Sequence, residues 1–199
     1  MNGLASTPVA RPPTWKRSLV TEPPWYTKLR ESHRPDHVRV LLVGEAAPDP
    51  GDAERRFFYA PVLHQRDNLF RGVVEAFYGC SPGHAGDLKA PWLERLMSDG
   101  AYLIDLVPFP VDNLSPDKTE ARRLRRNARR DHVDACIEEV TALDPAGIII
   151  CHDGVYRAAA RKMRAAGLTV LHDDSIPFPL YAGRKVFPVK VRAALARLA

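Results

Sequence analysis

The segment Val38 to Val43 (VRVLLV) is a near-continuous run of β-branched residues and leucine that stops at Gly44. Such a run must be covered on both faces, which is the situation of a parallel strand with helices on either side. Three more runs repeat it: Ala101 to Val107 (AYLIDLV), Ala146 to Cys151 (AGIIIC) and Leu168 to His172 (LTVLH). Between them the apolar spacing predicts helices. Asp67 to Tyr78 places Leu69, Phe70, Val73, Val74 and Phe77 on one face. Pro91 to Met97 reads as a short helix with proline near its start. A long helix is expected from Asp117 to Leu143, stopped by Asp144-Pro145. Asp153 to Ala166 ends at Gly167, and Val186 to Leu198 closes the chain. Strand and helix alternate throughout. The expected fold class is therefore α/β, a three-layer α/β/α sandwich with a central four-stranded parallel sheet.

A chain of 199 residues suits one domain, expected over residues 38–199. Residues 1–37 carry six prolines (Pro8, Pro12, Pro13, Pro23, Pro24 and Pro35) and read as an irregular arm. Within it a short helix from Tyr26 to His33 is expected, with Trp15, Trp25 and Tyr26 tacking the arm to the domain. The net charge of +5 permits nucleic acid or another anionic partner without requiring one. The three cysteines, Cys80, Cys136 and Cys151, form no CxxC pair, which argues against a disulfide framework and a four-thiolate metal site. Reduced thiols are the expectation. No apolar run approaches the roughly 18 residues of a membrane span. A cytoplasmic monomer with no membrane partner is expected. HExxH, Walker and dinucleotide glycine patterns are absent, and no metal or cofactor is expected.

In a parallel sheet of this kind, ligands bind beyond the carboxyl ends of the strands. The loops of interest are thus 44–64, 107–117, 151–154 and 173–186. The first strand runs into Gly44-Glu45-Ala46-Ala47-Pro48-Asp49. A carboxylate just past a buried strand is placed to hold a water molecule, and glycine lets a ligand approach the backbone. A plain strand-to-loop turn with a solvated acid fits the same residues. The second strand ends in Ile104-Asp105, followed by a loop with Asp112, Asn113, Ser115 and Pro116. Arginines crowd positions 122 to 130, with Lys118 before them. Six arginines on one helix cannot all face one way. One stripe suits a phosphate backbone, while a solvated helix paired with Glu120 and Asp131 is the plainer account.

The segment VLLVGEAAPDPGDAERRFFYAP resembles the first motif of the uracil-DNA glycosylase superfamily, in the form GE-x-P-G followed by a phenylalanine. The resemblance covers about residues 38 to 198. It implies a base flipped out of DNA and hydrolysis of its N-glycosidic bond, a DNA-repair activity. By position it makes Glu45 the water-positioning residue and Phe58 or Phe57 the platform on which the base stacks. Gly44 and Ala46 would lie under the base, with Asn113 in the following loop. Asp105 stands where the family has an asparagine. Asparagine both donates and accepts, whereas ionised aspartate only accepts. That points to an amino-bearing or modified base, to a catalytic use of the carboxylate, or to lost activity. The family's last motif, a histidine-proline-serine loop, has no match. His172 is the substitute at the end of the fourth strand, and His152 at the tip of the third is another candidate. Ile176, Phe178, Leu180 and Tyr181 offer an apolar wedge. Lys118, Arg122, Arg126, Arg184 and Lys185 would contact the DNA backbone, with Lys190 near the second patch. Some members carry an iron–sulfur cluster on four cysteines; only Cys136 falls near such a position, so no cluster is expected. Two other readings stay open: a catalytically altered nucleic-acid-binding module, and a small-molecule nucleoside or nucleotide hydrolase.

Overall fold

A computed structural model describes residues 24–48 and 57–198 of the chain. Trp15 and most of the arm, with the loop positions Asp49 to Arg56, lie outside the described residues. In order, the elements are α1 (Pro24–Glu31), β1 (Val40–Gly44), α2 (Asn68–Tyr78), α3 (Ala90–Ser98), β2 (Ala101–Asp105), α4 (Lys118–Asp131), α5 (Val133–Leu143), β3 (Gly147–Ile150), α6 (Asp153–Ala165) and α7 (Gly183–Leu195). A single 3-10 turn, Ala196–Leu198, follows.

The fold class is α/β, and the sheet is parallel with order β2-β1-β3. Its register pairs Val40 with Ala101 and Gly147, and Gly44 with Asp105. Every residue of β1 and β3 is buried, as two-sided coverage by helices requires. Among the described residues the sheet has three strands, where four were expected. The fourth run contributes one parallel bridge, Ile148 to Val170, with Ile148 N–H bonded to Thr169 O and Leu171 N–H to Ile148 O. At the next position the ladder is replaced by a side chain. Ile150 N–H donates to Nε2 of His172 at 2.9 Å.

The long helix expected from Asp117 to Leu143 is two helices that meet at His132. Asp117 caps the first: its Oδ1 accepts from Glu120 N–H at 2.7 Å. The second stops at Asp144, which takes the left-handed conformation (φ 44°). The expected arm is joined to the domain from α1 onward. Tyr26 is fully buried and its ring meets Phe57 edge-on at 4.6 Å. Tyr102 donates to Glu31 at 3.0 Å, and His33 stacks on Tyr59.

The return from the Glu45 loop is pinned from below. Lys89 is buried, its ammonium 2.9 Å from Asp67 Oδ2 and bonded to the carbonyls of Phe57 and Phe58 at 2.9 and 3.2 Å. It also sits over the Phe70 ring at 4.6 Å. Burial lowers the Lys89 pKa, and the Asp67 charge opposes that shift. A buried cation with these partners fixes the loop on α2 and α3.

Candidate functional site at the strand ends

The register places the carboxyl ends of three neighbouring strands side by side. Asp105 closes β2, Glu45 follows β1, and His152 follows β3 by two residues. Backbone bonds carry the β1–β2 pairing past the strand ends: Leu106 N–H donates to Gly44 O at 3.1 Å and Val107 N–H to Glu45 O at 2.9 Å. Gly44 is needed here. A Cβ at this position would lie 2.4 Å from Asp105 Oδ1, so the glycine lets the Asp105 carboxylate lie against the β1 backbone.

Glu45 is buried, and two arginines of α4 hold it. Arg125 meets both carboxylate oxygens, with Nε 2.8 Å from Oε1, and Arg129 Nε donates to Oε1. Burial pushes the Glu45 carboxyl up. The Arg125 hydrogen bond and the charges of His152, Arg125 and Arg129 outweigh it, so the carboxyl lies below its ordinary value and is ionised at neutral pH. The same pairing lifts Arg125 against its own burial, helped by nearby Asp112.

His152 caps α6. Its Nδ1 accepts Gly154 N–H at 2.9 Å. An accepting Nδ1 puts the proton of the neutral ring on Nε2. That nitrogen lies 3.6 Å from Glu45 Oε2. Burial lowers the His152 pKa, and the Glu45 charge opposes the shift. The ring is neutral at pH 7 and turns an N–H toward the carboxylate. Gly154 completes the arrangement, since a Cβ there would lie 2.4 Å from Arg129 Nη1. The Arg129 guanidinium therefore rests on the first turn of α6. Phe178 adds an aromatic ring, its centroid 6.0 Å from that of His152.

Helix α4 divides its cations by face. Leu124 and Ala128 point into the core, and Arg125 and Arg129 reach Glu45. Arg123 pairs with Glu120 at 2.6 Å. Lys118, Arg122 and Arg126 form an exposed stripe four residues apart. Arg184 and Lys185 are exposed at the start of α7.

The remaining expected site residues differ in exposure. Phe57 and Phe58 belong to the core, 1% and 8% exposed. Phe58 packs edge-on against Phe70 and Tyr59. The void it lines is about 10 Å³, far smaller than a nucleobase. Both rings are engaged by aromatic neighbours, Phe57 by Tyr26 and Tyr59 and Phe58 by Tyr59 and Phe70. His172 is 7% exposed and spends both ring nitrogens on backbone, Nε2 on Ile150 N–H and Nδ1 on Asp174 O at 2.7 Å. It is a structural histidine. Ile176 is fully buried, whereas Leu180 and Tyr181 are 40% and 84% exposed at a loop tip. Ala46 is half-buried against the core, and Asn113 is exposed in the loop before α4.

The arginine pair on Glu45 escaped the sequence reading. Its signal is the i, i+4 spacing of 125 and 129, offset by three from 122 and 126. Among the described residues no group of three or more His, Cys, Asp or Glu is placed to hold a metal ion. No described helix is long and apolar enough to cross a membrane. No family model, curated protein or solved structure matches the chain.

Proposed function

We propose that the chain is a monofunctional DNA glycosylase of the uracil-DNA glycosylase kind, hydrolysing the N-glycosidic bond of a deaminated or modified base flipped from DNA. The observation that carries this reading is the convergence of Asp105, Glu45 and His152 at three adjacent strand ends. Glu45, ionised and held by Arg125 and Arg129, positions the attacking water. The water oxygen bonds to C1′ as the C1′–N bond breaks. The bonding electron pair leaves with the base, and the water's proton passes to base or solvent. Negative charge grows on the departing base, and the Nε2–H of His152 is a fixed donor for it. Asp105 accepts from N–H groups of the base, which favours an amino-bearing or modified one. Phe178 takes the aromatic role that the buried Phe58 leaves open. The stripe of Lys118, Arg122 and Arg126, with Arg184 and Lys185, suits phosphates. Leu180 and Tyr181 supply an exposed apolar tip.

A second reading is a binding module without catalysis. The observation that favours it is the engagement of both Glu45 oxygens by arginine. One experiment separates the two. Oligonucleotides carrying uracil, hypoxanthine, xanthine or modified cytosines, single- and double-stranded, are incubated with the protein and treated with alkali. Scission at one base, lost in Glu45→Ala and altered in Asp105→Ala, supports the glycosylase. Salt-sensitive binding with no scission supports the binding module. Neither result with any substrate overturns both.

A further inference from the structure

A groove of about 440 Å³ runs along α2 and, of the residues assigned above, takes in only Arg184. Its size is that of small-molecule sites. Gln65, Asn68, Arg71, Ser81, Pro179 and Arg184 line it. The groove follows from the packing of α2 on α7. At Gly72 a Cβ would lie 2.8 Å from the Phe187 ring and 3.2 Å from Pro179 Cβ, so the two walls meet there.

Arg71 is half-buried and oriented by backbone alone. Its Nη1 donates to Gly83 O at 2.8 Å, and its Nη2 to His64 O at 3.4 Å. A guanidinium has five N–H donors, so most of the fork remains for a ligand. Arg184, on α7, is exposed, and among the described residues its side chain makes no hydrogen bond or ion pair. Among the described residues no carboxylate lies within 4.0 Å of either guanidinium. Glu75, one turn beyond Arg71, also lines the groove and stays outside that distance. Some positioned arginines pair with acids, as at Glu45 and Asp173, while Arg39 and Arg192, like Arg71, bond backbone carbonyls. Two guanidiniums without an acidic partner among the described residues line one groove with the amides of Gln65 and Asn68 and the Ser81 hydroxyl, and together they make an acceptor-seeking site. Two forked cations match the several oxygens of a phosphate better than the two of a single carboxylate.

We propose that this groove binds a phosphate group between Arg71 and Arg184, either that of a free nucleotide or one in a nucleic-acid strand. The proposal does not need the glycosylase reading, although both assign Arg184 to phosphate. Its test is calorimetric titration of the full chain with inorganic pyrophosphate, thymidine monophosphate and a ten-residue oligothymidylate. Arg184→Ala is the informative variant, because its side chain holds nothing in the fold. The expected result is saturable one-to-one binding, weakened about tenfold or more in Arg184→Ala at unchanged Tm, the loss of one charge-assisted contact. Arg71→Gln is expected to weaken it further. Binding must persist in Glu45→Ala, which keeps the groove distinct from the strand-end site. Binding of pyrophosphate or the monophosphate identifies a free phosphate ligand, and binding of the oligonucleotide alone identifies a strand. Absence of saturable binding with all three probes, or equal affinity in Arg184→Ala, overturns the proposal.

Discussion

Nε2 of His172 accepts the backbone N–H of Ile150 at 2.9 Å, so an imidazole completes the edge of β3 where a fourth strand would otherwise run. Removing it leaves a buried donor unsatisfied, at a cost of about 1–3 kcal/mol, and uncovers the Tyr156 ring packed on it. Burial holds the His172 pKa below its ordinary value, against the opposing bond to Asp174. The folded ring then binds fewer protons than the unfolded one. Its contribution is present above the unfolded value of about 6.5 and is lost as pH falls through the folded value. His152, also lowered, acts in the same direction. Urea denaturation of the wild type is expected to show lower stability at pH 5 than at pH 7. His172→Ala is expected to be less stable at pH 7 and to show a smaller fall. An equal fall in the variant would assign the pH dependence to other groups.

The Lys89–Asp67 pair is the second point where one change reaches far. Both side chains are essentially inaccessible, 0% and 1% exposed. Asp67 Oδ2 also accepts His64 N–H at 2.7 Å. Asp67→Ala strands a buried ammonium, and such a loss costs about 3–5 kcal/mol. Asp67→Asn keeps an acceptor and is expected to cost less. Urea unfolding of the two variants measures the difference, and equal stabilities would mean that the charge of Asp67 is not what Lys89 requires.

The strands were legible because each is an apolar run with no polar face, and a run of that kind has few alternatives. LTVLH was the exception. Thr169 is exposed, Val170 makes one bridge, and past Leu171 the N–H of Ile150 is met by the His172 side chain, which no hydropathy pattern reveals. The break at His132 does leave a trace. The buried positions 124, 128, 133, 136 and 140 slip by one residue between 128 and 133, where a continuous helix would keep its phase. Strand ends announced Glu45 and Asp105, and topology placed His152 beside them. Phe57 and Phe58 misled because a core and a stacking platform ask for the same side chain. Arg125 and Arg129 were hidden among arginines that differ from them only in the roll of the helix.

His152 combines a structural bond with a chemical one, and asparagine separates them. The side-chain oxygen of asparagine is among the best helix caps, so His152→Asn is expected to retain the bond to Gly154 N–H and the melting temperature. His152→Ala is expected to lose about 1 kcal/mol with the cap. Both remove the Nε2–H that faces Glu45. If the strand-end site hydrolyses an N-glycosidic bond, both variants lose about 100-fold in turnover, the usual scale for one positioned donor. Thermal melts beside the oligonucleotide scission assay give the comparison. A stable, fully active His152→Asn would remove His152 from the chemistry and leave it a cap.

Gly154 tests the arginine clamp without touching a charged residue. Alanine is the better helix former, by up to about 1 kcal/mol in a helix interior, so propensity favours Gly154→Ala. The new Cβ would lie 2.4 Å from Arg129 Nη1 and 2.6 Å from its Cζ. The end of a long side chain yields before the backbone does, so the guanidinium moves and its bond to Glu45 Oε1 is strained or lost. Arg125 remains on both oxygens, and the carboxylate is still paired. With less positive charge beside it, burial weighs more heavily and the Glu45 pKa rises from its lowered value. Carbon-detected NMR of labelled glutamate is expected to show a higher Glu45 midpoint in Gly154→Ala than in the wild type. The stability that Glu45 contributes is present above its unfolded value and lost as pH falls through the folded one. The variant is therefore expected to lose it at a higher pH during acid unfolding. An unchanged midpoint would show that Arg125 alone sets the charge of Glu45 and that Arg129 serves only to pack α4 against α6.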